Sequence, residues 1–237
     1  MADKNNTGKP FPLIIQELDE EKIKQCISEG YDINARIDKN GRTLLIEAAE
    51  AGNTEIVRLL VKYGADVNIP EKKEKKTALL LACWEGHESA VKVLIENNAD
   101  VHHKKSGDKT SLMYAAHSGK PGIVKLLIEK GVALDAVNDE GVNALMYAAD
   151  SDKKFEAFKV IVEAGADINL RDNEGKPVIS AVQYSTLLMR HGCRCILLKR
   201  AYGGLYGLNE VFIHPVHRLI IYLSFPSFFS FFSFTYL

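Results

Sequence analysis

Residues 41–68 read GRTLLIEAAEAGNTEIVRLLVKYGADVN, and the chain repeats that stretch with variations. KKTALLLACWEGHESAVKVLIENNADVH opens at Lys75, DKTSLMYAAHSGKPGIVKLLIEKGVALD at Asp108, and GVNALMYAADSDKKFEAFKVIVEAGADIN at Gly141. Their anchors Thr43, Thr77, Thr110 and Asn143 lie 34, 33 and 33 residues apart. A fifth unit starts at Gly175 with GKPVISAVQY and then loses the pattern. Ahead of the first full unit, LDEEKIKQCISEGYDINARID matches only the second half of a unit. Self-similarity at such a period marks a stacked repeat array.

Each unit has the same physical reading. The anchor threonine opens a short helix, where its hydroxyl can cap a free N–H. Leu45, Ala48 and Ala49, then Leu79, Ala82 and Cys83, share one helix face at 3–4 spacing. They are small because two helices must approach closely. A turn follows at Gly52, Gly86 or Gly119. The second helix of the first unit carries Ile56, Val57, Leu59 and Leu60 and ends at Gly64, a left-handed C-terminal cap. Ala65-Asp66-Val67-Asn68 then leads into a polar β-turn or hairpin finger. No unit encloses a core alone; side by side, the helix pairs bury one continuous apolar seam.

The pattern G-x-T-x-L-x-x-A-A-x-x-G, then V-x-x-L-L, then G-A-D-V-N resembles the ankyrin-repeat family. The resemblance covers about residues 12–175, with a decaying remnant to about 199. It implies an all-α solenoid of stacked helix-turn-helix units with hairpin fingers along one edge. One family feature is replaced: the first-helix histidine that ties neighbouring hairpins is Ile46, Leu80, Met113 and Met146 here. The expected organisation is a disordered N-terminus (1–10) and a repeat domain (11–199). Within the domain lie a half-repeat cap (11–40), repeats at 41–74, 75–107, 108–140 and 141–174, and a degenerate repeat (175–199). In the fourth unit the turn Asp150-Ser151-Asp152-Lys153 is irregular and one residue longer. In the fifth, Pro177-Val178 opens the helix, Ala181 enters the seam and the second helix is compressed into LLMRHGC. That end should be the least stable.

The tail at 200–237 is a different object. Residues 219–237, LIIYLSFPSFFSFFSFTYL, carry no charge, and six of the chain's 10 Phe lie there. Nineteen residues just admit a membrane-spanning helix, with Arg218 as interfacial anchor. Phe, Ser, Leu and Pro also share pyrimidine-only codons, so a translated pyrimidine tract reads the same way. A tail docked on the last repeat is the third reading. Membrane association holds only if the anchor is genuine.

The 237-residue chain is 46% hydrophobic and 26% charged, with a formal net charge of -1. Nothing global indicates nucleic acid, which calls for a basic patch. The polar start MADKNNTGKP lacks the apolar run of a signal peptide, and four scattered cysteines suit a reducing compartment. The expected location is cytoplasmic, with the nucleus as alternative. No G-x-x-x-x-G-K-[ST] loop is present, and AYGGLYGL lacks the strand-to-helix context. His191, Cys193 and Cys195 form H-x-C-x-C without a second ligand pair, so no metal is expected. His102-His103, and His214 with His217, read as solvated or incidental. No catalytic set and no cofactor are expected.

Recognition remains. The resemblance implies a protein partner held on the concave face, by finger tips and the end of each first helix. The helix-end slot holds Glu50, Trp84, His117 and Asp150. Finger slots hold Asp38, Lys39, Asn40 and Arg42; Lys73, Glu74 and Lys76; Ser106 and Lys109; and Asp139, Glu140 and Val142. Trp84, the only tryptophan, sits just outside the seam and should be partly exposed; packing on the neighbouring helix end is the competing expectation. The run EKKEKK at 71–76 reads as a charged, solvated tip, and less readily as half of a site for an acidic partner. The chain is thus expected to be a non-catalytic interaction module or scaffold, in all expectation monomeric. A tail-anchored membrane adaptor and a regulatory piece of a larger enzyme or channel are the alternatives.

Overall fold

The computed structural model describes residues 9–10, 19–178, 211–213, 219–222 and 231–234. Among these, the repeats form pairs of antiparallel helices. First helices are α2 (Leu44–Glu50), α4 (Ala78–Glu85), α6 (Ser111–Ser118) and α8 (Ala144–Ala148). Second helices are α3 (Thr54–Lys62), α5 (Glu88–Glu96), α7 (Pro121–Glu129) and α9 (Phe155–Ala164). The lone helix α1 (Glu20–Ser28) continues the second row, packing on α3. Each first helix packs on the next first helix and each second on the next second.

The local reasons match the sequence period. Thr43, Thr77 and Thr110 accept from the N–H three residues on, at 3.3–3.4 Å. Ala48, Ala82, Ala115 and Ala148 are fully buried where first helices approach one another. Ile46, Leu80 and Met113, in the slot of the absent family histidine, are buried apolar side chains. Hydrophobic packing therefore takes the place of a hydrogen bond between repeats.

Asn143 departs from the threonine pattern. Its Oδ1 caps Met146 N at 2.9 Å, but its buried Nδ2 has no hydrogen-bond partner. An orphaned buried donor costs about 1–3 kcal/mol. Asn143→Thr keeps the cap, removes the donor and nearly conserves volume. It should raise unfolding stability by about 1 kcal/mol, read from chemical denaturation; a loss would show that the amide is satisfied in solution.

Asparagine and aspartate side chains also stitch repeats together. Asn34 Oδ1 accepts from Asp66 N, Asn68 Oδ1 from Asp100 N and Asp135 Oδ1 from Asp167 N, each at 2.8 Å. Between the second and third repeats, His102 stands in the Asn slot and Ala133 in the Asp slot, so this joint is chemically different.

The irregular fourth turn is accommodated by a short α8 and a 3-10 turn at Asp152–Lys154. Lys154 Nζ donates to the Tyr147 carbonyl at 3.4 Å, a cation at a helix C-terminus.

Two expectations meet differences. Lys9–Pro10, placed in the disordered lead-in, is a short strand, β1, paired in parallel with β2 (Tyr31–Asp32). The backbone of Tyr31–Asp32 otherwise presents an open edge, which a neighbouring segment can satisfy. In the tail, where a spanning helix is one of three readings of 219–237, Val211–Ile213, Leu219–Tyr222 and Phe231–Phe234 form β3, β4 and β5 of an antiparallel sheet. Phe-rich, uncharged residues favour extended pairing as readily as a helix. No helix among the described residues is long and apolar enough to cross a membrane. The compressed helix of the fifth unit and His191, Cys193 and Cys195 lie outside the described residues.

Candidate functional site

The site begins with the turn chemistry of the fingers. Each returns within a few residues: Ile37 N donates to Arg42 O, Glu71 N to Lys76 O, Asn138 N to Val142 O and Asp172 N to Lys176 O. Side-chain carboxamides or carboxylates fix three of the tips. Asp38 Oδ1 accepts from Arg42 N at 2.9 Å, Asn138 Oδ1 from Val142 N and Asp172 Oδ1 from Lys176 N, both at 2.8 Å. Successive fingers are then bonded main chain to main chain. Lys72 N donates to Asn40 O (2.8 Å), Ser106 N to Glu74 O (2.9 Å), Asp139 N to Gly107 O (3.4 Å) and Asn173 N to Glu140 O (3.1 Å). Five tips thereby form one ordered row.

Finger residues reach the open face of the first helices. Arg42 Nε lies 2.8 Å from Glu47 Oε1, and its guanidinium also pairs with Glu50. Glu74 joins two fingers: its carboxylate lies 2.9 Å from Lys76 Nζ and 3.1 Å from Lys105 Nζ. Hydrogen bonds from Lys76 and then Lys105 hold the Glu74 carboxyl at about 2, below the usual carboxylate range. Glu71, expected on a solvated tip, is buried at 8% exposure. Burial, then the Glu74 carboxylate, pushes the Tyr114 phenol up, with smaller contributions from Tyr147 and Glu71.

The centre of the face is aromatic. Trp84 is 40% exposed. Its ring stacks on His117 of the next repeat, with centroids 4.2 Å apart and planes 7° from parallel. Tyr114 meets Trp84 edge-on at 5.2 Å, and Tyr147 meets His117 edge-on at 6.1 Å. Lys109 Nζ lies 5.8 Å from the centroid of the Tyr147 ring. Stacked and edge-to-face geometries are the favoured ones for aromatic pairs. The surface is therefore a fixed run of rings with an ammonium at its edge.

The structure brings Trp84 and His117 into contact, and Arg42 onto Glu50. Asp150 pairs with Lys154 at 3.2 Å beyond them. Asp38 and Asn40 work within and between fingers, whereas Lys39, Lys73 and Glu140 are exposed. The slot four residues after each anchor, Glu47, Leu81, Tyr114 and Tyr147, was missed by sequence reasoning. Its signal was the same as that of the helix-end slot: one helix turn earlier, variable residues beside an unvarying seam. His87 takes a structural position, with Nε2 2.9 Å from the Glu50 carbonyl of the preceding repeat.

Burial, then the Lys154 ammonium, lowers the His117 pKa; Asp150 opposes this and Lys109 reinforces it. A histidine depressed in the folded state takes up protons more readily when unfolded, so stability increases with pH through that window and falls on acidification. Trp84 is the natural reporter, because an imidazolium quenches an indole stacked on it. Intrinsic fluorescence should drop on acidification with a midpoint below the ordinary histidine value of about 6.5. His117→Gln should abolish the drop; a midpoint at or above 6.5 would contradict the geometry.

Helix pairs stacked at a fixed period, with finger tips bonded in a row, define a repeat solenoid. The profile described as Ankyrin repeats (3 copies) matches residues 14–105 and again 98–172, and the chain belongs to the ankyrin-repeat family. No curated protein matches it significantly.

Proposed function

We propose that this chain is a non-catalytic module that holds a protein partner on the concave face made by its fingers and first helices. Ankyrin repeats are generally protein–protein interaction modules. One observation carries the finer reading: a tryptophan at 40% exposure, held rigidly by His117 and Tyr114 at the middle of the face. An immobilised indole loses little entropy on binding, and Trp is enriched among binding hot spots.

The test compares wild type and Trp84→Ala as baits, followed by titration of the purified partner. Trp84→Ala should weaken the partner at least tenfold, about 1.4 kcal/mol. The lost ring pairs should lower folding stability by only about 1 kcal/mol. A lowered unfolding midpoint with unchanged affinity would assign Trp84 to stack rigidity alone. Glu50, His117, Asp150, Arg42, Lys76 and Lys109 are the flanking positions in this reading, with Asp38, Lys39, Asn40, Lys73 and Glu140 along the finger edge.

A further inference from the structure

The finger row is electrically polarised along the stack. Net charge per finger is +1 for 38–42, +2 for 71–76 and +2 for 104–109, then −2 for 138–142 and −1 for 172–176. The whole chain carries only -1, so the segregation is local. It is also rigid, because hydrogen bonds from Lys72 N, Ser106 N, Asp139 N and Asn173 N bind each tip to its predecessor. Stacked helices lie about 8–10 Å apart. The centres of the basic and acidic halves are thus separated by more than the Debye length of about 8 Å at physiological salt. Each half therefore presents its own field.

The Glu74 bridge ties up Lys76 and Lys105. Lys72, Lys73 and Lys104 remain exposed on the same two fingers. At the other end Asp139 and Glu140 are exposed. The stacked Trp84–His117 pair lies on the first helices that follow the second and third fingers, and Lys109 over Tyr147 carries this apolar, cation-edged platform across to the acidic half.

We infer that the partner is an extended protein segment bound in one direction, its acidic half along the first three fingers and its basic half along the last two. An apolar or aromatic side chain of the acidic half, near the change of sign, rests on the Trp84 platform. This deepens the proposed function and rests on it. Fixed complementary charge orients a partner and rejects the reversed pairing. A nucleic acid fits poorly, because its uniform phosphate charge meets the acidic half. An extended segment matches a row five fingers long better than a small ligand does.

The experiment pans a random 16-residue peptide display library against the full chain and against a finger-inverted variant. That variant combines Lys72→Glu, Lys73→Glu and Lys104→Glu with Asp139→Lys and Glu140→Lys. All five residues are exposed tips, and circular dichroism with Trp84 fluorescence verifies the fold. The expected result is a set of peptides, lost on Trp84→Ala, with acidic residues at one end and basic at the other. Each should bind the inverted variant at least tenfold more weakly, and less so at high salt, while panning on the variant returns the opposite order. Trp84-dependent peptides without charge segregation would overturn the directional inference and leave the concave-face reading standing. Absence of any Trp84-dependent peptide would overturn the concave-face reading itself. A salt-sensitive dimer of the chain alone, in sedimentation, would overturn the inference in favour of a second copy set antiparallel against the row.

Discussion

Phe158→Ala should cost about 3–5 kcal/mol, the range for removing a buried phenyl ring. Phe158 is fully buried in α9, the helix that packs on both α7 and α8. Total stabilities are commonly about 5–15 kcal/mol, so this is a large share. The form of the loss should be as informative as its size. In a solenoid each repeat contacts only its neighbours, and stability is a sum of repeat and interface contributions. The α8–α9 pair already carries the shortest first helix, an irregular turn and an orphaned amide. Removing its largest core side chain should uncouple it from the rest. Helical signal should then fall at lower urea than Trp84 fluorescence, which reports on the second and third repeats. A single coincident transition, shifted by under about 1 kcal/mol, would mean that the fourth repeat does not depend on this ring.

The legible part of the molecule was whatever repeats along the chain. Anchor spacing, threonine caps and the small seam residues all recur in register, and each has a local cause. The unpaired α1 was equally visible, because LDEEKIKQCISEG lacks the first-helix pattern. Contacts made across repeats by unlike residues were harder to see. Trp84 and His117 are 33 positions apart, and only the stacking of α4 on α6 makes them parallel rings. The slot of Tyr114 and Tyr147 holds Glu47 in the first repeat and Leu81 in the second, so no single repeat marks it as part of the face. Glu74 read as one charge in a solvated run, yet its carboxylate is shared between two fingers, a relation no single repeat contains. His87 stands three residues after Trp84 in sequence, yet in space it turns back to the preceding repeat.

That turn back makes Gly52 the most demanding glycine in the first repeat. Gly52 has φ +71°, and a Cβ there would lie 2.5 Å from the His87 ring. The same ring reaches the Glu50 carbonyl at 2.9 Å. Gly52→Ala therefore meets two costs at once. Left-handed backbone costs a non-glycine residue about 1–2 kcal/mol. Displacing the ring also leaves the end of α2 without this partner, adding about 1–2 kcal/mol for a partly exposed group. The expected total is about 2–4 kcal/mol, and the two parts can be separated by a double-mutant cycle. In a His87→Ala background the obstructing ring is already gone, and Gly52→Ala should cost only the backbone part, about 1–2 kcal/mol. Equal costs in both backgrounds would show that the ring moves aside freely. In that event His87 would act as a surface residue, and its place close to Trp84 in sequence would count toward the open face.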